Sequence, residues 1–174
     1  MTEAEFWELI EKTKCSEPDE HVERLVARLV KIPASEILSF GHWWGEAHTA
    51  AYDWNLWGAA YIINGGCSDD GFIDFRSWLL LKGEKVYRDA LADPDTLAKV
   101  RVEPDEASCE CYPAPEAYSQ AVSGADHGAY YNALTAAHGL GLSRPEPLGE
   151  HWDFESETEM KARLAKLFKK FGDA

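Results

Sequence analysis

From Tyr52 to Gly83 the chain reads YDWNLWGAAYIINGGCSDDGFIDFRSWLLLKG, two apolar runs of helical length on either side of Asn64-Gly65-Gly66-Cys67-Ser68-Asp69-Asp70-Gly71. The stretch holds three of the seven tryptophans and the Gly-Gly pair. Glycine takes the left-handed backbone that closes a helix, and Ser68, Asp69 or Asp70 can cap the next one. The expectation is two helices meeting at a polar, glycine-built corner, with the rest of the chain arranged around it.

The flanking sequence is helical as well. Thr2-Glu3-Ala4-Glu5 is a capping box ahead of Phe6, Trp7 and Ile10. Ser16-Glu17-Pro18 starts a second helix, with Val22, Leu25, Val26, Leu29 and Val30 spaced as one buried stripe. Pro33 opens a third, whose stripe of Ile37, Phe40, Trp44, Ala47 and Ala51 runs on without a break through Trp54, Trp57 and Tyr61 to the diglycine. After the corner, Phe72, Phe75 and Leu79 share a face. A short helix around Val86–Leu91 stops at Asp93-Pro94, and Asp95 caps a further turn or two. Residues 101–115 lose periodicity, and their prolines and acids predict a surface loop. Residues 112–122 and 126–138 read as short helices, and residues 143–153 as a Pro-rich extended connection. Ser156-Glu157-Thr158-Glu159 caps one last helix that buries Met160, Leu164, Leu167, Phe168 and Phe171. Lys99–Val102 is the candidate strand. The fold expected is all-α, a single compact helical domain over residues 1–174, with about seven helices and a Pro-rich acidic loop in the second half.

A chain of 174 residues buries roughly 70% of the surface its unfolded form exposes, enough for a real core. The formal charge of −14 repels phosphate backbones and anionic lipid, so neither nucleic acid nor a membrane surface is the expected partner. The apolar run Leu56–Ile63, interrupted by Gly58, is far short of the roughly 20 residues of a membrane span. An acidic rather than basic first segment points to the cytoplasm, where the four cysteines are expected as reduced thiols.

Candidate chemistry gathers at the corner. Asp53, Asp69, Asp70 and Asp74 accompany Arg76, which sits in an apolar helix between Phe75 and Trp78. A buried guanidinium needs a carboxylate, so Arg76 either locks the two helices at the corner with an Asp or anchors a ligand carboxylate or phosphate beside Trp57 or Trp78. Asp53, Trp57, Asp69, Asp70 and Arg76 are therefore the candidate ligand-binding residues. His42 and Glu46 lie one helical turn apart, but His48 points elsewhere, so this helix offers two metal ligands where a catalytic zinc takes three. Cys109-Glu110-Cys111 lacks a second close pair to complete four thiolates. Cys67, just before a helix start, is placed where a helix dipole lowers a thiol pKa. Gly65-Gly66 lacks the lysine and preceding strand of a phosphate loop. His127, His138 and His151 read as solvated surface, and the tryptophans at 43, 44, 54, 57 and 78 as core. No cofactor or resident metal is implied.

Phe6-Trp7-x-Leu9-Ile10, Tyr52-x-Trp54-x-Leu56-Trp57-x-Ala59-Ala60, Gly65-Gly66-Cys67-Ser68-Asp69-Asp70 and Phe75-Arg76-x-Trp78-Leu79, together with Trp152 and the final helix, resemble an uncharacterised bacterial family. It is the domain of unknown function numbered 4240 (DUF4240). The resemblance implies a bacterial, cytosolic, one-domain protein and brings no reaction or ligand with it. Three readings follow: a non-enzymatic module binding a protein or small ligand at the corner, an enzyme using Asp69, Asp70 and Arg76 with a divalent metal, and an immunity-type protein neutralising a basic toxin.

Overall fold

Ten α-helices and one 3-10 helix make up the regular structure of the described residues, 1–139 and 146–172 of the computed structural model, and no β-strand forms among them. The fold class is all-α. In chain order the helices are α1 (Glu3–Thr13), α2 (Pro18–Leu29), α3 (Ala34–Ala50), α4 (Trp54–Asn64), α5 (Asp69–Leu81), α6 (Glu84–Ala92), the 3-10 helix (Pro94–Lys99), α7 (Pro113–Ala121), α8 (His127–His138), α9 (Glu157–Arg163) and α10 (Ala165–Phe171). Two compact units emerge, each built from two separated stretches of chain. Met1–Ala47 with Cys111–Arg144 form the first, and His48–Glu110 with Pro145–Ala174 the second. Among the described residues no helix is long and apolar enough to cross a membrane.

In the first unit α1 begins with the expected capping box, Glu5 N–H donating to Thr2 Oγ1 at 3.3 Å and Thr2 N–H to Glu5 Oε2 at 2.7 Å. Phe6, Ile10, Leu25, Leu29, Ile37 and Phe40 are fully buried, and Phe6 packs against Phe40 with ring centroids 5.0 Å apart. Their spacing at threes and fours is what sequence periodicity requires of a buried stripe. Gly41 lets the Tyr130 hydroxyl approach α3, since a Cβ there would overlap that oxygen.

The second unit departs from the sequence-based expectation in several places, chiefly where a distant residue intervenes. The stripe of α3 does not continue into α4. Leu148 N–H donates to Tyr52 O at 2.8 Å and Trp54 N–H to Leu148 O at 3.0 Å, a parallel bridge that draws the chain into extended geometry. Asp53 then turns that break into a helix start, its Oδ1 accepting from Asn55 N–H at 2.8 Å and Leu56 N–H at 3.2 Å. Residues 143–145 of the Pro-rich connection lie outside the described residues, and Leu148 is its bridging residue.

The last helix is likewise two. Leu164, with φ −135° and ψ 52°, interrupts it, and α10 restarts with no cap of its own. The cap arrives from Asp95, which was expected to cap its own segment. That segment is capped by Asp93 instead, whose Oδ1 accepts from Asp95 N–H at 3.1 Å. The Asp95 carboxylate, 6% exposed, accepts from Lys166 N–H at 2.9 Å and Leu167 N–H at 2.8 Å, with Lys166 Nζ 3.5 Å away. A buried carboxylate on the first turn of a helix satisfies orphan N–H groups and meets the positive end of the helix dipole. Asp95→Ala is expected to cost about 2–4 kcal/mol by stranding those donors. Hydrogen exchange would speed up at the Lys166 and Leu167 amides first; unchanged protection there would contradict the assignment.

Residues 101–115 are more than a surface loop. Ala107, Cys109 and Cys111 are buried. Asn64 bonds Ala107 in both directions, at 3.1 and 3.0 Å, while Asp105 N–H reaches Ile63 O and Cys109 N–H reaches Asp74 O, both at 3.1 Å. The amide side chain mimics a strand partner and lets an irregular segment run against α4 with its backbone satisfied. Lys99–Val102 forms no strand: Lys99 ends the 3-10 helix and the following residues are irregular. Trp152, 4% exposed, lies across α4 at Gly58, where a Cβ would occupy the space of its ring, and Arg163 covers it at 5.6 Å.

Candidate functional site

The corner forms as the sequence dictates. Gly65, at φ 63°, takes the left-handed conformation that terminates α4, and its N–H returns to Tyr61 O. Ser68 is the residue that caps α5, accepting from Gly71 N–H at 3.2 Å. Asp69 and Asp70 occupy the first turn of α5, exposed, where the helix dipole favours carboxylates. Trp57 ties the two sides together, its indole N–H donating to Cys67 O at 3.0 Å. Its ring stacks on Phe72 at 4.8 Å and on Trp54 at 5.2 Å, which leaves it 8% exposed. Of the expected core tryptophans, Trp57 and Trp78 are buried and Trp43, Trp44 and Trp54 half-buried.

Arg76 is 7% exposed. Its Nε–H donates to Phe72 O at 3.2 Å, one turn back in α5, and an Nη1–H donates to His48 O at 2.8 Å, near the C-terminal end of α3. The guanidinium also lies over the rings of Tyr52 at 4.8 Å and Phe72 at 5.1 Å. Late carbonyls of a helix have no intrahelical partner and carry its negative end, so His48 O suits a cation. Carbonyl oxygens and ring faces thus take part in holding the charge for which the sequence leads one to expect a carboxylate.

Two more side chains, the buried Ser77 and the half-buried His48, complete this polar knot. Ser77 Oγ is hydrogen-bonded to His48 Nε2 at 3.1 Å and lies 3.3 Å from Ile73 O. Burial first, and the Arg76 charge second, push the His48 imidazole down to about 3, so it is neutral at physiological pH. Ser77 was not singled out from sequence; a lone hydroxyl inside the apolar run Phe75–Leu81 is the signal that could have found it, because a buried hydroxyl must have a partner.

The remaining sequence candidates separate. His42 belongs to the first unit and stacks on His138 at 4.6 Å with the rings 4° from parallel, so His138 is not solvated surface. His151 is exposed and meets Trp54 edge-on at 4.4 Å. Among the described residues no three or more His, Cys, Asp or Glu side chains are grouped to hold a metal ion. Cys67 is not activated by its helix: burial, then the charge of Asp74, pushes its thiol up to about 12 despite the Trp57 contact. Asp74 is held above the usual carboxylate range by burial, then by Glu110 and Asp70. The perturbed His48 and Cys67 are both held in their neutral forms, and Asp53, Trp57 and Arg76 are engaged by the fold. Asp69 and Asp70 are the candidates that face solvent.

The model of one protein family, described as "Protein of unknown function (DUF4240)", matches residues 1–125. That span contains the corner and ends before α8, so Trp152 and the final helices of the sequence resemblance lie beyond it. No curated protein and no solved structure matches the chain.

Proposed function

The chain belongs to the DUF4240 family, and from that premise we propose that it is a non-enzymatic binding module. The observation that carries this reading is the state of the corner. An acid–base or nucleophilic site needs a group poised to change protonation near neutral pH. Here the imidazole is neutral, the thiol is protonated, and the guanidinium is clasped by two carbonyls. Those are the marks of a scaffold. Its outward groups on this side are the Asp69 and Asp70 carboxylates, which suit a cationic or hydrogen-bond-donating partner.

The experiment that decides between module and metal-dependent enzyme is a melting series of the purified chain with Mg²⁺, Mn²⁺ and Zn²⁺, alongside Asp69→Asn/Asp70→Asn. A binding module predicts shifts below about 1 °C for the three ions, because a ligand stabilises only in proportion to its occupancy. A rise of several degrees that the double variant abolishes would put a metal site at the corner and favour the enzyme.

A further inference from the structure

In the first unit, α2 and α7 pack together and leave a groove of about 270 Å³, lined by Val22, Glu23, Val26, Ala27, Glu116 and Gln120. Its volume falls below the roughly 300–1,000 Å³ of small-molecule pockets, so it suits a side chain better than a metabolite. Part of the lining is aliphatic, from Ala27, the half-buried Val22 and the buried Val26. Both charged residues lining it are acids.

We infer that this groove receives a lysine or arginine from a basic segment of a partner protein. Three observations fix the occupant. First, Glu23 and Glu116 enter no ion pair among the described residues, whereas Glu8 and Glu20, on the neighbouring turns of α1 and α2, are paired with Lys12 and Arg24. Gln120 Nε2 donates to Glu116 Oε1 at 3.3 Å, orienting that carboxylate while leaving its charge uncompensated. Second, a lysine or arginine combines an aliphatic stem with a cationic head, and the groove is lined by aliphatic side chains together with acids, the same combination. Third, a net charge of −14 steers basic partners towards the chain. This inference rests on the reading of the chain as a binding module and names the chemistry of its partner.

The test is a nuclear magnetic resonance titration of the full chain with a decalysine peptide at physiological salt. Two charge-matched double variants accompany it, Glu23→Gln/Glu116→Gln and Glu103→Gln/Glu106→Gln. Shifts are expected at residues 22–27 and 116–120, with affinity about tenfold weaker in the groove variant and within about twofold of the parent in the loop variant. Equal weakening in both variants, or shifts spread over the acidic surface, would reduce the effect to diffuse attraction and overturn the groove. Shifts centred on Asp69 and Asp70 would also overturn the groove while leaving the binding-module reading intact. The metal-dependent melting described above is the separate outcome that removes that reading.

Discussion

Arg76→Ala lowers the unfolding free energy by about 3–5 kcal/mol, measured as a reduced denaturant midpoint. The guanidinium donates to two backbone carbonyls, Phe72 O and His48 O, and hydrogen bonds to charged groups contribute roughly 1.5–3 kcal/mol each. Its position over Tyr52 and Phe72 adds about 0.5–2 kcal/mol. Truncation also leaves a space beneath two aromatic rings in a fully packed helix. Arg76→Lys recovers little, because one ammonium cannot reproduce the fork that reaches forward to α3 and back along α5. A ligand anchor would behave in the opposite way: its loss would leave stability within about 0.5 kcal/mol, as for other substitutions away from packed features.

The second large effect is a loss of stability in acid that depends on His48. The imidazole binds its proton more weakly when folded, with a pKa lowered from 6.5 to about 3. As pH falls below about 6.5 the unfolded chain protonates while the folded chain does not, so the native state loses ground until pH reaches about 3. At about 1.4 kcal/mol per pH unit the full loss is on the order of 3–5 kcal/mol. His48→Gln offers Ser77 a hydrogen-bonding atom without a titrating ring. Carboxylates titrate in the same range in both proteins, so the quantity to follow is the stability difference between them from pH 7 to pH 3. Wild type should lose about 3–5 kcal/mol relative to the variant, and a constant difference would show that the imidazole is not enclosed.

Local signals in the sequence were sufficient for most helix ends. Thr2 and Ser68 cap as their side chains predict, Pro18 sits in the first turn of α2, and Gly65 and Gly139 close helices in the left-handed conformation. The two missed breaks depend on partners that no local pattern contains. Tyr52 and Trp54 are bridged by Leu148, and α10 is capped by Asp95 from 71 and 72 residues away. Once such a partner takes the backbone N–H groups, an apolar stripe that continues in sequence no longer continues as a helix.

The candidate site divides along the same line. That Arg76 is buried could be inferred from Phe75 and Trp78 beside it. That Phe72 O, His48 O and two ring faces reach it could not, because which groups meet a buried guanidinium is decided by tertiary packing. The metal reading of His42, Glu46 and His48 rested on spacing along one helix, yet His42 stacks on His138 while His48 bonds Ser77. Cys67 shows how a favourable helix start is overridden by burial and neighbouring acids.

The Arg76 guanidinium is part of the scaffold on which the corner is built. Hydrogen exchange of its Nε–H, followed by nitrogen-15 resonance in the intact chain, tests this most directly. Protection comparable to that of the α5 backbone amides is the predicted result, and exchange as rapid as that of a surface arginine would contradict it.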